Sequence, residues 1–432
     1  MTFPKYESYK DSGVEWIGEI PSHWKLRKAK YLWRELEERS VSGDEQLLSV
    51  SQYSGIIPRD EDSRSESLID YKRCEPNDLV VNIMLAWMGS LGISEYIGIV
   101  SPAYCVYRQL QNHNSKYLGY LYKTSIYLAE FARRSKGVVP SRWRIYTEDF
   151  GQVLTLLPPR EEQQRIVTFL ERTTAEIDEA IAKKQRLIKL LQEQKTILIN
   201  QAVTKGLNPK APMRDSGVEW IGEIPATWRI SRIKYLFENF NGIQMGPFGS
   251  MLIDISEQPT PYKLYGQQNT ISGDFSNVSR WLSPQKFKSL KKYVVKPGDI
   301  VTTRKGSIGN CRLIGSDVDE GVIDSDTIRI RVNKSIIVPD FLALLLHEAY
   351  YVNSMIFFNR RGAVLSGLNT STIADLIIAF PNIDEQMEIL NYVRKLQEQF
   401  NYTFEVINNH LTTLNEYKSQ IIAQTVTGKI KV

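Results

Sequence analysis

The sequence has little cysteine and histidine, with three and four residues respectively among 432. Cys74, Cys105 and Cys311 are far apart and odd in number, so they predict no disulfide framework, and we expect buried, reduced thiols. The histidines are equally scattered and lack the His-Glu-x-x-His spacing of a metal site. The sequence therefore contains no recognisable set of metal ligands.

Long apolar runs are also missing. No stretch reaches the roughly 20 apolar residues of a membrane span, and residues 1–10 lack the apolar core of a signal peptide. We therefore expect a cytoplasmic protein without membrane contact. With 42% hydrophobic and 24% charged residues, the chain has enough apolar material for more than one domain. Its net charge of +5 suits an anionic partner without requiring one.

Catalytic motifs are absent as well. The sequence has no phosphate-binding loop ending in Gly-Lys-Ser/Thr, and no Asn/Asp-Pro-Pro-Tyr/Phe motif with which an amino-methyltransferase would grip a base. Pro158-Pro159 lies in Leu-Leu-Pro-Pro-Arg, which is typical of the entry to a helix. We expect neither a catalytic centre nor a cofactor in this chain.

The most informative feature that is present is a tandem repeat. The segment DSGVEWIGEIP at 11–21 recurs letter for letter at 215–225, an offset of 215 − 11 = 204. A closing segment, LPPREEQ at 157–163, has its counterpart in FPNIDEQ at 380–386, an offset of 380 − 157 = 223. The chain is therefore two related halves that share their ends and differ in between.

A helical pattern follows each closing segment. Mostly apolar residues recur at alternating steps of three and four, with Lys184 and Gln194 as polar interruptions in the first half. This is the pattern of a heptad seam. The seam comprises Ile166, Leu170, Thr173, Ile177, Ala180, Leu187, Leu191 and Leu198, and 223 residues later Ile389, Val393, Leu396, Phe400, Thr403, His410, Leu414 and Ile421. Because the two patterns share one register, we expect two long helices that pack against each other. Two ordinary core helices are the alternative.

The repeat and the helices define the domain organisation. Residues 204–212 contain a glycine and two prolines, which end the first helix and form a linker. The segments before each helix mix short β-rich runs, such as 78–83 and 299–303, with turns and helical stretches. The predicted fold class is α/β (α+β). Its predicted parts are a globular domain 1–160, a helix 161–205, a linker 206–214, a globular domain 215–381 and a helix 382–432.

Two matched basic segments are candidates for contacts with nucleic acid. Between 133 and 144 lie five basic residues, no acidic one and a tryptophan, and the corresponding segment 359–369 is again basic. A third run, 280–305, has eight basic residues against one acidic residue. The candidate residues are Arg133, Arg134, Lys136, Arg142, Trp143, Arg144, Arg304, Lys305, Arg360, Arg361 and Asn369. We predict phosphate contacts here, with a solvated charged face as the alternative.

Reading of bases requires side chains that present paired donors and acceptors. Gln52 and Tyr53 in the first half, and Gln267, Gln268 and Asn269 in the second, occupy similar places after the opening motif. We predict base contacts for these five residues. Ordinary turns are an equal alternative.

The opening DSGVEWIGEIP, the closing LPPREEQ before a long helix and the duplication of the whole chain together resemble the specificity subunits of Type I restriction-modification enzymes. This resemblance implies two target recognition domains, each reading half of a split, asymmetric sequence in double-stranded DNA. It implies that the two helices form an antiparallel coiled coil and that two methyltransferase subunits dock on the chain. The implied partners bind S-adenosylmethionine, and restriction subunits add ATP- and Mg²⁺-dependent translocation and cleavage.

One departure from the family pattern concerns the second closing motif, where the second proline and Arg160 have no counterpart. Equal geometry at the two helix entries is therefore not expected. Two other functions stay open from the residues alone, a fused methyltransferase or endonuclease and a coiled-coil scaffold that binds no DNA. Because residues 427–429 match 204–206, we also expect the first and last segments of the chain to lie close together.

Overall fold

The fold is taken from a computed structural model that describes residues 3–59, 68–139, 142–239, 241–304, 309–360 and 368–432. The chain divides into two compact units. The first combines Met1–Gln185 with Ile407–Val432, and the second is Arg186–Val406. Each long helix therefore belongs partly to one unit and partly to the other, whereas the sequence pattern treats each helix as a separate segment.

The first half contains short strands followed by helices. Its described strands are β1 (Tyr9–Asp11), β2 (Glu19–Pro21), β3 (Lys25–Lys28), β4 (Trp33–Leu36), β5 (Leu48–Ser51), β6 (Gly55–Pro58), β7 (Lys72–Cys74), β8 (Leu79–Asn82), β9 (Leu91–Ile93), β10 (Gly98–Val100), β11 (Tyr104–Gln109) and β12 (Leu154–Leu157). Its described helices are α1 (Ser115–Tyr122), α2 (Ser125–Arg134), α3 (Thr147–Gly151) and the 46-residue α4 (Arg160–Lys205).

The second half repeats this plan with different connections. Its described strands are β13 (Met213–Asp215), β14 (Glu223–Pro225), β15 (Arg229–Arg232), β16 (Ile243–Met245), β17 (Tyr262–Tyr265), β18 (Trp281–Leu282), β19 (Ile300–Thr303), β20 (Cys311–Leu313), β21 (Gly321–Ile323), β22 (Thr327–Ile330) and β23 (Ile377–Phe380). Its described helices are α5 (Gln267–Ser272), α6 (Pro284–Ser289), α7 (Pro339–Glu348), α8 (Tyr350–Arg360), α9 (Thr370–Asp375) and the 44-residue α10 (Ile383–Val426).

The sheets show that the halves are equivalent. A four-stranded sheet of order β4-β11-β8-β9 in the first half corresponds to β16-β22-β19-β20 in the second. The pairs β1-β2 and β3-β12 correspond to β13-β14 and β15-β23. The predicted mixture of helices and strands in two related halves is confirmed.

The turn before the central strand is built alike in both halves. Asp78 and Asp299 each accept a hydrogen bond from the backbone N–H three residues earlier, at 2.9 and 2.8 Å. Each carboxylate also takes two hydrogen bonds from one arginine of the neighbouring strand, Arg108 at 2.8 and 2.9 Å or Arg331 at 2.6 Å. Such bidentate pairs fix geometry as well as adding energy, so the same clamp sets the start of β8 and of β19.

The repeated opening motif is a hairpin whose turn is held by its own side chains. Asp11 accepts from the Gly13 N–H at 2.9 Å, and Asp215 accepts from the Gly217 N–H at the same distance. Gly13 and Gly217 have φ of +71° and +70°, a region that side chains disfavour. Asp and Gly recur at these positions because the turn requires them.

The closing motif fastens each half to its helix. Trp24 and Trp228 are buried, and their indole N–H groups donate to Glu162 and Glu385, both at 3.0 Å. These pairs join the opening motif of each half to the first turn of its own long helix. The shared ends of the two halves therefore attach each half to its long helix, and we call the pairs Trp24–Glu162 and Trp228–Glu385 the fasteners.

Within each unit the two long helices lie antiparallel. In the first unit Lys418 contacts Asp178 at 2.7 Å and His410 contacts Lys184 at 3.4 Å, so one residue number falls as the other rises. In the second unit Lys195 contacts Asn401 at 3.3 Å. The prediction that the helices pair is confirmed.

The predicted seam is wrong by one position in places. Leu187 is 43% exposed and His410 is exposed, whereas the next residue in each helix, Ile188 or Leu411, is half-buried. Straight α-helices repeat every 3.6 residues rather than 3.5, so a strict heptad drifts by about 20° per repeat. The buried stripe follows the 3.6-residue period along these helices.

Each long helix ends on the opposite half of the duplication. Gly428, which has φ of +74° and follows α10, packs against Pro21 and Trp24, while Gly206, with φ of +76° and following α4, packs near Trp228. The Lys431 N–H then donates to the Pro4 carbonyl at 2.9 Å. The expected proximity of the first and last segments is confirmed.

The expectation of buried, reduced cysteines is confirmed. Cys74, Cys105 and Cys311 are buried free thiols, and burial raises the pKa of Cys74 and of Cys311 to about 11. Within the described ranges, no group of three or more His, Cys, Asp or Glu side chains is placed to hold a metal ion. No helix in the described part of the chain is long and apolar enough to cross a membrane.

Candidate nucleic-acid interface

The basic run of the first half begins at the end of α2 and continues into a hairpin. Lys136 and Arg144 exchange backbone hydrogen bonds of 2.9 and 3.0 Å, which close the base of this hairpin. Gly137, with φ of +154°, passes so close to the opposite arm that an added Cβ would lie 2.6 Å from the Arg142 carbonyl. A larger residue would push the two arms apart, so the glycine permits the hairpin that carries Arg142 and Trp143.

Three of the five cations of this run have acidic partners just outside it. The buried carboxylate of Glu130 pairs with Arg133 at 2.7 Å and with Arg134 at 2.5 Å, and Lys136 pairs with Asp149 at 2.9 Å. Although burial opposes ionisation, hydrogen bonds from the two arginines lower the pKa of Glu130. These pairs hold the end of α2 and the base of the hairpin, so much of the charge predicted for phosphate binding is already neutralised.

Arg142 and Arg144 differ from these three cations. Both are exposed, and no carboxylate of the described residues pairs with either. Charges without a partner are the ones that exchange counterions for phosphates. The cationic part of the first-half candidate site therefore centres on Arg142 and Arg144.

Trp143 connects the hairpin to a loop that the sequence patterns did not single out. Its ring lies edge-on to Trp87 with 5.4 Å between centroids, and the Ile145 N–H donates to the Ile83 carbonyl at 3.0 Å. The loop 83–90 between β8 and β9 also exposes Leu85 by 42% and Met88 by 38%. The signal that could have revealed this loop is an apolar Met-Leu-Ala-Trp-Met run between two strands, because an exposed apolar loop points to a binding surface.

The same loop reaches the predicted base-reading turn. A side chain built on Gly89 would lie 3.7 Å from Cγ of Gln52, and Lys123 donates to the Gln52 carbonyl at 3.4 Å. Tyr53 at the tip of the β5–β6 turn is 89% exposed. The turn 51–55, the loop 83–90 and the hairpin around 136–144 thus form one continuous surface, which we call the first-half surface.

In the second half the predicted base-reading residues lie on a helix instead of a turn. Gln267 and Gln268 begin α5, and Gln268 is exposed. Asn269 is buried, donates to the carbonyls of Asp274 and Asn277 at 2.9 and 2.8 Å, and accepts from the Gly266 N–H at 3.0 Å. Its amide therefore shapes the turn around α5, and the two glutamines stay the candidates for base contacts.

In each half a residue near the end of the basic segment is hydrogen-bonded to the residue directly after the corresponding strand, β8 or β19. The Leu368 N–H donates to the Arg304 carbonyl at 2.8 Å, as Ile145 does to Ile83. The guanidinium of Arg304 lies 5.4 Å from the ring centroid of Phe248, which is 45% exposed. Arg304 is therefore held beside an exposed aromatic ring.

The remaining second-half candidates are described only in part. Lys305 and Arg361 lie outside the described residues, and Arg360 is described only as the last residue of α8. Asn369 caps α9, where its side chain accepts from the Thr372 N–H at 2.8 Å. The role of Asn369 in the structure is to start this helix.

A family model described as Type I restriction modification DNA specificity domain matches residues 253–416. Over these residues the chain is similar to the DNA specificity domain of Type I restriction-modification systems. This similarity agrees with the resemblance inferred from the repeated motifs, and the match falls in the second half of the chain.

Two curated relatives carry the same family name. The chain is 21% identical over 347 residues to the Type I restriction enzyme EcoKI specificity subunit of Escherichia coli strain K12, covering 78% of this chain and 68% of that subunit. It is 23% identical over 287 residues to the EcoBI specificity subunit of Escherichia coli, covering 63% of this chain and 58% of that subunit. The match to the second relative thus spans less than two thirds of its length.

Two solved structures share the fold of this chain. The HsdS subunit from Thermoanaerobacter tengcongensis matches with a TM-score of 0.54 at 16% identity, covering 95% of this chain and 98% of that one. A chain from work on complex assembly and conformational transition of the type I R-M system matches with a TM-score of 0.68 at 15% identity, covering 94% and 98%. The predicted architecture of two α/β domains and two long helices is therefore shared with these structures.

Proposed function

We propose that this chain is the non-catalytic DNA reader of a Type I restriction-modification complex, and that each half reads one part of a bipartite, asymmetric target. The observation that carries the proposal is the first-half surface, where exposed arginines, amides and apolar side chains meet. An Arg or Gln presents two hydrogen-bonding groups to a guanine or adenine edge, and apolar side chains contact the thymine methyl group. This surface has all three kinds of group.

Within the first-half surface we assign different tasks to different residues. Arg142 and Arg144 bind phosphates or guanine edges, and Gln52 and Tyr53 contact bases from the neighbouring turn. Leu85 and Met88, which are exposed beside Trp87, supply the apolar contacts. Arg133, Arg134 and Lys136 support this surface through their ion pairs with Glu130 and Asp149.

The asymmetry of the target follows from the different structures at equivalent places. A β-turn carries Gln52, whereas α5 carries Gln267 and Gln268. Amides presented from a turn and from a helix approach a groove at different angles, so the two halves select different bases. Arg304, Lys305, Arg360 and Arg361 are the proposed second-half cations.

The chemistry of the complex is assigned to partner subunits. Two methyltransferase subunits that bind S-adenosylmethionine dock on this chain, and restriction subunits supply ATP- and Mg²⁺-dependent translocation and cleavage. The duplicated framework supports two equivalent docking places, because the same fasteners recur in both halves. A cytoplasmic location, where host DNA is accessible, is part of the same proposal.

The test is the adenine-methylation pattern of host DNA. We expect deletion of the gene to remove a two-part motif, and replacement of residues 12–158 by the corresponding domain of another family member to change only one part of it. Restoration by the unaltered gene is the control. A motif that persists after deletion, or that changes in both parts after the replacement, contradicts the proposal.

The two alternative functions are tested with purified material. Methyl transfer or cleavage by the chain alone would indicate a fused enzyme. A complex with methyltransferase subunits that shows no salt-dependent DNA binding would indicate a scaffold.

A further inference from the structure

A lysine–tyrosine pair is exposed at the same place in both halves. Tyr31 is 54% exposed and Tyr235 is 69% exposed, and the ammonium group of the preceding lysine lies over each ring, at 5.2 Å for Lys30 and 5.5 Å for Lys234. A short 3₁₀ helix presents the pair in both cases. These residues match by 234 − 30 = 204, the offset of the opening motif.

The backbone of the pair is fixed by buried neighbours, so its two side chains are not needed for packing. Ala29 and Leu32 flank it in the first half, and Ile233 and Leu236 do so in the second; all four are at most 2% exposed. The flanking residues therefore account for the packing of the 3₁₀ helix. An exposed tyrosine at the same position twice has no such packing role.

The surroundings of the pair are cationic in both halves. Residues 25–30 include four basic residues and no acidic one, and residues 229–234 include three basic residues and no acidic one. Lys25 and Lys28 in the first half and Arg229 and Arg232 in the second are exposed. The complementary ligand is therefore anionic.

In each half one short helix connects the pair to the basic segment. The Ala29 N–H donates to the Val153 carbonyl at 2.8 Å, just beyond α3, the helix that follows the basic hairpin. In the second half the Ile233 N–H donates to the Leu376 carbonyl at 3.0 Å, just beyond α9, which follows the matched basic segment. A side chain built on Gly151 of α3 would lie 3.2 Å from Cβ of Lys30.

We propose that Lys30–Tyr31 and Lys234–Tyr235 bind the DNA phosphate backbone and do so independently of sequence. Two halves that read different bases need different base contacts, whereas the phosphate backbone is chemically the same at both half-sites. An identical contact in both halves fits the part of the ligand that does not change. Lysine and tyrosine are both donors to phosphate oxygens. The inference rests on the proposed function, because it requires that both halves face DNA.

The two lysine–tyrosine pairs differ in whether the lysine already has an acidic partner. Lys234 is already paired with Asp375 at 2.9 Å, and Arg232 lies 3.4 Å from the same carboxylate. No carboxylate of the described residues pairs with Lys30, and the position matching Asp375 by the offset of 223 is Gln152. The first-half pair should therefore contribute more to binding than the second-half pair.

The experiment measures DNA binding against salt concentration for the assembled complex with its methyltransferase subunits. The variants are K30A/Y31A, K234A/Y235A and the combination of all four changes. A charge-matched control, K189A/K395A, removes two exposed lysines from the long helices. The probes are a duplex with the methylated motif and a duplex of equal length without it.

We expect the slope of log K against log salt to become shallower by about 0.9 for each phosphate that the variant no longer binds. The slope of the combined variant should thus fall by about 1.8, with the larger share from K30A/Y31A, while the ratio of affinities for the two duplexes stays that of the unaltered complex. The control should keep the original slope. Methylome sequencing should show an unchanged motif.

Three results would overturn the inference. The first is a slope in the combined variant equal to that of the control, and the second is a changed affinity ratio, which would make these residues base readers. The third is failure of the methyltransferase subunits to co-purify with the combined variant, which would make the pairs a protein-binding surface. If the unaltered complex does not bind DNA, the proposed function fails and this inference fails with it, whereas normal binding with unaffected variants contradicts this inference alone.

Discussion

The two halves of the chain have the same sheet order but different structures where bases are to be read. Leu47 bridges Ile99 in parallel, and Leu264 pairs with Val322 in the same sense, so both segments arrive at equivalent places. From there the first half forms the β5–β6 hairpin, whereas the second continues through β17 into α5. A fixed framework therefore tolerates a change of secondary structure at the reading segment, because the fasteners lie elsewhere.

The fasteners themselves are unequal, which gives the largest expected difference between the halves. Glu162 accepts hydrogen bonds from Trp24 at 3.0 Å, Tyr6 at 2.6 Å and His23 at 2.7 Å. Glu385 accepts one from Trp228 at 3.0 Å. We expect Glu162→Ala to destabilise its unit by about 3 kcal/mol, since it leaves several donors unpaired, and Glu385→Ala to cost about 1 kcal/mol.

Native-state hydrogen exchange of the amides in β12 and β23 measures the stability of each unit separately. Glu161→Ala, at the exposed neighbouring position, is the matched control and should change neither. Equal destabilisation by the two fastener variants would show that the additional bonds to Glu162 contribute nothing.

A second change should affect the halves equally. Gln163 and Gln386 are fully buried, and each donates to the carbonyl of a proline five residues earlier, at 2.9 and 2.8 Å. Each also accepts from a backbone N–H, that of Asn114 at 2.9 Å or of Val338 at 2.7 Å. Each amide nitrogen has a further, longer contact of 3.3 Å, from Gln163 to His113 Nδ1 and from Gln386 to the Ile336 carbonyl. Replacement by leucine leaves all these groups without the glutamine, so we expect about 2 kcal/mol of destabilisation in each half.

The same exchange measurement applies to both variants. Replacement of Gln163 or Gln386 by glutamate keeps the shape of the side chain but removes its N–H donors, so it separates the effect of shape on stability from that of hydrogen bonding. A difference above about 1 kcal/mol between Gln163→Leu and Gln386→Leu, large for equivalent sites, would show that the departure in the second closing motif alters the helix entry.

The basic run provides a comparison inside one half. We expect R142A/R144A to reduce the affinity of the assembled complex for DNA about tenfold at salt concentrations in the range of roughly 50 to 200 mM. The reason is that two cations without acidic partners among the described residues no longer bind phosphates. R133A/R134A should instead mainly destabilise α2, since the buried Glu130 is left without either partner. Binding titrations over a series of salt concentrations, with circular dichroism as the check on folding, measure the two effects.

Weakened binding in R133A/R134A with intact folding, and unchanged binding in R142A/R144A, would return the phosphate contacts to the end of α2, as the sequence alone predicts. Because both double variants remove two positive charges from the same run, each is the control for the other.

Particular residues show which features a sequence can predict. The repeat locates Trp24 and Trp228, the helix entries and the matched basic segments, because these depend on local order and on residues that recur. It does not reveal that Glu130 neutralises Arg133 and Arg134. These ion pairs join residues three and four positions apart on a helix, and Glu130 lies just before the segment 133–144, which is singled out by its basic composition. It also misses the Trp87 loop, which approaches the hairpin only in the folded chain.

Asn269 and Leu187 illustrate two further limits. An amide in a polar segment looks the same whether it faces a ligand or closes a turn, and only its partners, Asp274 and Asn277, decide between these roles. Leu187 fits a seven-residue repeat in the sequence, but the period of the helix is 3.6 residues. The sequence therefore predicts that the two helices pair through a seam, but it does not predict which residues in the middle of each helix are buried there.

The smallest expected effect concerns the acid stability of the first unit. Burial raises the pKa of Glu162, but hydrogen bonds from Tyr6, His23 and Trp24 outweigh it, so the pKa is lower than its ordinary value of 4.5. A carboxyl whose pKa is lower in the folded chain stabilises the fold above its unfolded pKa, and this contribution is lost as the pH falls through the folded value. As the pH falls from about 5 to about 3, through and below the ordinary range of a glutamate, the first unit should therefore lose stability that Glu162→Gln does not lose.

Parallel hydrogen exchange at the two pH values, corrected for intrinsic exchange rates, measures this difference in β12. Glu385→Gln, which changes the corresponding carboxylate of the second half, is the control and should leave the acid sensitivity of β12 unchanged. The same acid sensitivity in Glu162→Gln as in the unaltered chain would assign the destabilisation to other carboxyl groups. The additional donors around Glu162 would then matter for its packing rather than for its charge.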